Sequence, residues 1–232
     1  MISSRRIGRA LTSVVLACFL GANVAMAAHP FAYGAVQSDL YDGISGNMGI
    51  RTDPTTVLGD AYVHPVQMIL PGTDFIAIGT VKGMGTTGGT VNCSSHYSGS
   101  HWSGYYDSSI NGVYLCQNFS TNAWVAGSNP SFQILYTTCP TIGARWVLTF
   151  AGAQRTCIYQ GNTQGPAILA GLETFSGTNR NIDVKYTNLK KNLPGSSTWS
   201  NMGDTRPGHA DLNYTYQYVS TSAFNVFLAP LD

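Results

Sequence analysis

Charged side chains are scarce in this sequence, and glutamate is almost absent. Charged residues make up 10% of the 232 residues, against roughly 25% in a typical globular protein. Basic and acidic side chains nearly balance, with 12 Lys+Arg and 11 Asp+Glu, so no strongly basic surface is present for nucleic acid or an anionic membrane. The composition therefore excludes nucleic acid as an expected partner and predicts a surface made largely of Ser, Thr, Asn, Gly and Tyr.

Helix signals are also nearly absent, because no stretch shows a sustained 3.6-residue apolar period and the helix formers Glu and Lys are few. Short apolar and aromatic runs recur instead, separated by Gly, Asn, Ser and Pro, which is typical of strands and turns. The pattern predicts an all-β fold, a two-sheet antiparallel sandwich of jelly-roll or concanavalin-like type with about eleven strands. The predicted strands are Gly34–Tyr41, Ala61–Leu70, Phe75–Lys82, Gly112–Phe119, Phe132–Tyr136, Arg145–Phe150, Thr156–Tyr159, Ala167–Phe175, Ile182–Leu189, Asp211–Val219 and Ala223–Ala229.

Residues 1–27 have the three-part pattern of a secretory signal peptide. Three arginines lie within the first nine residues, an apolar stretch runs from about Leu11 to Val24, and small residues precede a cleavage point after Ala27. Cleavage there would leave a single domain, residues 28–232, with 9 basic and 11 acidic side chains and a formal net charge of −2. The sequence thus predicts a secreted protein, extracellular or periplasmic, with no membrane span after the signal is removed.

Four cysteines remain after this processing: Cys93, Cys116, Cys139 and Cys157. An even number of cysteines in an exported chain indicates disulfides, and four allow three pairings that the sequence alone does not distinguish. We favour the local pairing, Cys93–Cys116 and Cys139–Cys157, in which each bond closes a loop of about twenty residues and contributes about 3 kcal/mol. A zinc site is disfavoured because no C-x-x-C pair occurs, and no cofactor or metal is expected.

Two segments are longer than ordinary connections and are predicted to be loops, Asn92–Asn111 and Lys191–Ala210. The first combines Tyr and Trp with Ser and Gly, a composition that offers rigid aromatic contacts and adaptable hydrogen bonds to a glycan or protein ligand. The alternative is that these rings form local core beneath a long loop. The candidate binding residues are Tyr97, Trp102, Tyr105, Tyr106 and Trp199.

Familiar catalytic motifs are missing. The sequence contains no G-x-S-x-G, no phosphate-binding loop and no dinucleotide fingerprint. His96 and His101, with Asp107 nearby, have a spacing that would allow metal binding, although loop side chains of this kind are usually solvated.

Glu173 is the one glutamate of the chain, and it lies in a strongly apolar predicted strand. Leu169, Gly171 and Phe175 share its face of the strand, and a carboxyl among such neighbours has its pKa raised unless it is paired. Carboxyls of this kind act as general acids and bases near neutral pH. The alternative is a carboxylate at the rim of the sheet, solvated or paired with Lys or Arg.

The segments Asp74–Gly79 (DFIAIG) and Leu169–Glu173 (LAGLE) resemble parts of the secreted glutamic peptidases, the eqolisin and neprosin group. In those β-sandwich proteins a first strand carries a catalytic Gln or Glu before a Gly, and a later strand carries the second catalytic Glu after small residues. The resemblance extends over about Ala61 to Phe175. It implies that Glu173 is the second catalytic residue and that Ala77 occupies the first catalytic position.

Ala77 supplies neither a proton nor a hydrogen bond, and losing an oxyanion donor alone costs about 10²–10³ in rate. Gln67 or His64, on the preceding strand, would have to substitute for it. The sequence therefore favours a secreted non-catalytic binding or surface protein. The alternatives are an acid-active glutamic-peptidase-like hydrolase that uses Glu173 and Gln67, and a structural envelope or extracellular component.

Overall fold

A computed structural model of the chain describes residues 31–34, 39–54, 61–83, 101–140, 143–175, 182–203, 207–210 and 214–228. The predicted signal peptide, Cys93 and Tyr97 lie outside these residues. Within them, no helix has the length and apolar character needed to cross a membrane.

The described residues form fifteen strands, and every pairing between them is antiparallel. The prediction of an all-β fold with two antiparallel sheets is confirmed. The strands are β1 (Phe31–Gly34), β2 (Gly43–Ile50), β3 (Ala61–Ile69), β4 (Phe75–Gly83), β5 (Trp102–Ile110), β6 (Val113–Trp124), β7 (Ser131–Cys139), β8 (Gly143–Phe150), β9 (Ala153–Ile158), β10 (Ala167–Phe175), β11 (Ile182–Asn192), β12 (Trp199–Asn201), β13 (Pro207–Ala210), β14 (Tyr214–Ser220) and β15 (Ala223–Leu228).

The strands divide between two sheets. The first sheet has the order β13-β1-β10-β3-β4-β5-β6, and the second has the order β14-β15-β11-β2-β7-β8-β9, with β12 paired to β11. The neighbouring strands β10, β3, β4, β5 and β6 of the first sheet carry the candidate site. The arrangement is that of a sandwich; the finer jelly-roll description stays a prediction.

One buried core contains side chains from both sheets. Alternation along each strand places every second side chain there, for example Ile168, Ala170 and Leu172 on β10. The opposite face of the first sheet therefore carries the intervening side chains, and we call this face the outer face. Burying each large core side chain contributes about 1.5–3 kcal/mol.

The prediction that Asn92–Asn111 forms one loop is wrong for residues 102–110, which form β5 in the interior of the first sheet. Its Gly and Ser content suggested a loop, yet a glycine is required there. A Cβ on Gly104 would lie 2.1 Å from the ring of Phe119, so the ring packs directly on the backbone. Strand β2 was missed for a similar reason, since a Cβ on Gly46 would meet Leu189 and Phe132.

Other strand predictions fail at their ends. The predicted strand Gly34–Tyr41 is wrong at its C-terminal end, where residues 39 and 40 are not in a strand and Tyr41 makes an isolated bridge to Gly165; residues 35–38 lie outside the described residues. The predicted loop Lys191–Ala210 contains the short strands β12 and β13.

The predicted disulfide Cys139–Cys157 is confirmed and joins β7 to β9, with the two Cα atoms 6.2 Å apart. It is the one disulfide with both cysteines among the described residues. Cys116 on β6 is also disulfide-bonded. Its predicted partner is Cys93, outside the described residues, so that pairing stays a prediction.

Candidate active site

The outer face of the first sheet carries Glu173. Core residues occupy every second position of β10, so Leu169, Gly171 and Glu173 occupy the alternate positions, on the outer face. In the register of the sheet, Glu173 is opposite Val63 on β3, and Val63 is opposite Val81 on β4. The strand β10 therefore places the carboxyl on the outer face, away from the core between the sheets.

The sheet has no side chains at two outer-face positions near Glu173. A Cβ on Gly171 would lie 2.1 Å from the carbonyl oxygen of Ala32, and a Cβ on Gly79 would lie 2.0 Å from that of His64. Neighbouring backbones therefore approach too closely for any other residue at these positions. Because these two glycines lack side chains, the outer face has a depression between β10 and β5.

The carboxyl of Glu173 is partly buried and makes no hydrogen bond or ion pair with a described residue. Burial raises its pKa to about 8, and the negative charge of Asp107 adds to the rise. Glu173 is therefore neither paired with Lys or Arg among the described residues nor fully solvated. An uncompensated carboxyl whose pKa is strongly perturbed is a candidate functional group.

Asp107 is a second buried carboxyl on the same face. It lies on β5 opposite Ala77 of β4, and Ala77 is opposite Gln67 of β3. The Asp107 side chain is 8% exposed, and its Oδ2 accepts a hydrogen bond of 2.9 Å from the Tyr114 hydroxyl. Its Oδ1 is buried without a hydrogen-bond partner. Burial raises the pKa of Asp107 to about 7, and the Tyr114 hydrogen bond opposes this rise.

Two tyrosines complete this group of side chains. Tyr105 lies on β5 opposite Gly79, and burial followed by the charges of Asp107 and Glu173 raises its pKa well above the usual value. The pKa of Tyr114 is raised by burial, by Asp107 and by Glu173. Both hydroxyls therefore stay protonated and can donate hydrogen bonds. We call Glu173, Asp107, Tyr105 and Tyr114 the carboxyl cluster.

The structure separates the residues that the sequence proposed as substitutes for Ala77. Gln67 lies on the outer face in the same register row as Ala77 and Asp107, and its catalytic role stays a prediction. His64 points into the core, where its ring stacks on Trp102 with centroids 4.0 Å apart. Burial lowers the pKa of His64 to about 3. His64 therefore lies on the core face of β3, whereas Glu173 lies on the outer face of the sheet.

Most of the predicted binding aromatics are buried in β5 rather than displayed on a loop. Trp102 has no exposed surface and its Nε1 donates a hydrogen bond of 3.0 Å to the carbonyl oxygen of Thr52. Tyr106 belongs to the core, and Tyr105 belongs to the carboxyl cluster. Trp199 lies on β12 and is partly exposed. The described residues thus do not assemble the predicted aromatic binding surface.

The structure describes two of the three residues of the metal hypothesis, His101 and Asp107, whereas His96 lies outside the described residues. The Nδ1 of His101 lies 3.6 Å from the Asp53 carboxylate, whereas Asp107 belongs to the carboxyl cluster. No group of three His, Cys, Asp or Glu side chains suited to a metal ion occurs within the described part of the chain.

Sequence comparison finds no matching family model and no matching curated protein. Structure comparison, in contrast, finds solved structures that are similar to this chain. Scytalido-glutamic peptidase bound to a peptide-based transition-state analogue is 11% identical with a TM-score of 0.54, over 87% of this chain and 99% of that one. The same peptidase with a transition-state analogue inhibitor is 10% identical with a TM-score of 0.55, over 88% and 100%. SCP-B, an eqolisin-family peptidase bound to the tripeptide Ala-Ile-His, is 10% identical with a TM-score of 0.50, over 87% and 99%.

These similarities extend over nearly the whole length of the solved structures, and at this level of identity they show the fold. The chain therefore has a distant glutamic-peptidase-like fold. This bears out the sequence resemblance at the level of architecture, while the roles of Glu173, Gln67 and Ala77 stay predictions.

Proposed function

We propose that this protein is an exported hydrolase of the glutamic-peptidase type, which cleaves peptide bonds with Glu173 as a catalytic carboxyl. One observation carries the proposal: the only glutamate of the chain is held, partly buried and without a counter-ion among the described residues, on the outer face of a glutamic-peptidase-like sandwich. Peptide-like molecules occupy the structures that this fold resembles, which supports a peptide as the substrate class.

The energetics of the site support a functional role for Glu173. Burial of a carboxyl without a hydrogen bond or a cation opposes its ionised form and reduces stability at neutral pH. Such a cost is typical of functional sites, where stability is lost in exchange for reactivity. A carboxyl with this pKa exchanges protons readily near neutral pH, as a group that activates water or protonates a leaving group must do.

We expect the peptidase activity that depends on Glu173 to be highest near neutral pH. The family resemblance implies acid activity, but the carboxyl of Glu173, with a pKa of about 8, is fully protonated in acid. A carboxyl must be ionised to accept a proton from water. The acid optimum therefore does not follow from the electrostatics of this site.

The non-catalytic binding function that the sequence favours loses its main observation, because Trp102 and Tyr106 are core residues. Of the proposed binding residues, Trp199 keeps partial exposure. No contact in the described structure supports the structural-component alternative over either function. The hydrolase is therefore the function with the most support.

Substituting Glu173→Gln is expected to lower peptide hydrolysis by about 10²-fold or more, since a positioned acid or base contributes 10²–10⁴. The assay is digestion of a mixed peptide library from pH 3 to pH 9, followed by mass spectrometry. Asp183→Asn is the matched control, because Asp183 is a half-buried carboxyl on β11 of the second sheet. Equal cleavage by wild type and Glu173→Gln would remove Glu173 from the chemistry.

Export is proposed from the sequence of residues 1–27. The exported protein is expected to begin at Ala28, which N-terminal sequencing of the material outside the cytoplasm would show. Protein that stays inside the cell with its first 27 residues intact would contradict export.

A further inference from the structure

We propose that a groove on the second sheet binds an acidic saccharide, whose carboxylate is bound by Arg51 and Lys185. The groove is lined by Gly49 of β2, Arg51 just after it, the turn Gly127–Asn129, and Lys185 and Thr187 of β11. It lies on the sheet that does not carry Glu173, so this proposal does not depend on the proposed peptidase function. We call these residues the basic groove.

Strands β2 and β11 place the floor of the basic groove on the face of the second sheet that is turned away from the core. Met48 and Ile50 of β2 are buried in the core, as is Val184 of β11. Gly49 and Lys185 occupy the alternate positions and are opposite each other in the register. The pairing of the two strands therefore places a cation beside a position that has no side chain.

The depth of the basic groove depends on Gly49. A Cβ at this position would lie 3.2 Å from the carbonyl oxygen of Lys185 and 3.5 Å from Oδ1 of Asn129, so a side chain here would fill the floor. The facing turn is fixed to β2, because the Gly127 N–H donates a hydrogen bond of 2.8 Å to the carbonyl oxygen of Ile50. The resulting groove has a volume of about 390 Å³, within the range of about 300–1,000 Å³ for small-molecule sites.

The two cations of the basic groove are not paired with an acid. Neither Arg51 nor Lys185 forms an ion pair with any residue that the structure describes. The nearby acid is Asp183, whose pKa is raised by burial, while the charges of Arg51 and Lys185 oppose this rise. The groove thus combines two positive charges with one carboxyl whose ionised form is disfavoured by burial, which favours an anionic ligand.

The lining of the basic groove matches a saccharide better than a peptide. Among the described residues that line it, Ile50 is the one large apolar side chain, and it is buried in the core. The hydroxyl oxygen of Ser128 accepts a hydrogen bond of 3.1 Å from the Val125 N–H, which leaves its proton to donate, and Asn129 and Thr187 add an amide and a second hydroxyl. A sugar acid carries a carboxylate and several hydroxyls on one compact ring, so it uses the cations and these polar groups together.

The test is an NMR titration of the ¹⁵N-labelled protein with a short oligoglucuronate, with a neutral oligoglucoside of the same length as the matched ligand. The amide resonances of Gly49, Gly127 and Lys185 are expected to shift with the oligoglucuronate. The neutral ligand is expected to bind about tenfold more weakly or worse, because hydrogen bonds to charged groups are the stronger ones. Raising the salt from about 0.1 M to about 1 M is expected to weaken binding, since exposed charges are then screened.

Variants assign the binding to the basic groove. Arg51→Gln and Lys185→Gln are each expected to raise the Kd for oligoglucuronate about tenfold or more. Asp183→Asn is expected to lower it about twofold to fivefold, because the substitution removes the competing negative charge. Lys190→Gln is the matched control, since Lys190 is an exposed lysine of β11 outside the groove, and it is expected to leave the Kd unchanged.

Two results would overturn the proposal. Inorganic phosphate that binds as tightly as the oligoglucuronate would show a site for simple anions and not for a saccharide. The absence of any shift with oligoglucuronate, or a Kd that neither Arg51→Gln nor Lys185→Gln changes, would remove the basic groove as a binding site. Neither result bears on peptide hydrolysis, because the readout is binding on the second sheet.

Discussion

Glu173→Gln is expected to stabilise the protein at pH 8 by about 3 kcal/mol relative to the wild type, and to leave its stability near pH 4 almost unchanged. In the native state the pKa of Glu173 is about 8, raised first by burial and second by Asp107, whereas an unfolded glutamate titrates near pH 4.3. The folded protein therefore binds a proton that the unfolded chain has already lost over this range.

The direction in which stability changes with pH follows from that difference in bound protons. The stabilisation that protonated Glu173 gives is fully present below the unfolded pKa, and it is lost as the pH rises through the folded pKa of about 8. Asp107, with a pKa raised to about 7, contributes in the same direction over a slightly lower range. Because of these two carboxyls, the free energy of unfolding of the wild type should fall as the pH rises from 4 to 8. A neutral amide in place of the Glu173 carboxyl removes part of this pH dependence.

Urea unfolding of wild type and Glu173→Gln at pH 4, 6 and 8 measures the effect. The difference between the two free energies of unfolding should grow steadily with pH, in favour of the variant. Parallel pH dependences for the two proteins would mean that Glu173 has an ordinary pKa and no special environment.

Trp102→Ala is expected to lower the free energy of unfolding by about 4 kcal/mol, within the range of 3–5 kcal/mol for a buried aromatic residue. Trp102 is fully buried, stacks on His64, and donates a hydrogen bond to Thr52. The substitution opens a cavity, leaves the Thr52 carbonyl without this donor and exposes one face of a buried imidazole. A domain of ordinary stability has only about 5–15 kcal/mol to lose.

The matched control is Trp199→Ala, which removes a partly exposed ring on the short strand β12 and is expected to cost about 1 kcal/mol or less. Denaturant unfolding of both variants checks the difference. A Trp102→Ala protein that is as stable as the wild type but no longer binds a glycan would restore the aromatic binding function that the sequence favours.

The sequence predicts this fold best where apolar residues alternate cleanly. The predicted bounds of β10, Ala167–Phe175, agree with the structure, as do the buried positions Trp146, Leu148 and Phe150 of β8. Prediction fails for β2 and β5, which are strands because tertiary packing requires glycines within them. Local strand propensity is low in such segments, so their pairing depends on neighbours that are distant in the sequence.

The candidate site was predictable in part. Glu173 is identifiable because a single glutamate in an apolar strand is unusual, and that signal is local. Asp107 was missed because its strand was assigned to a loop, where an aspartate looks solvated. Alternation along β5, with Trp102 and Tyr106 on one face and Tyr105 and Asp107 on the other, was the signal that could have located it.

The central claim is that Glu173 is a protonated carboxyl near neutral pH, coupled to Asp107. Because Glu173 is the only glutamate in the chain, protein grown with glutamate labelled by ¹³C at Cδ gives a single side-chain carboxyl resonance, whose titration by NMR reports this group alone. We expect a pKa of about 8, which falls when Asp107 is replaced by Asn. A resonance that titrates near the ordinary glutamate pKa, and that Asp107→Asn does not change, would contradict the account.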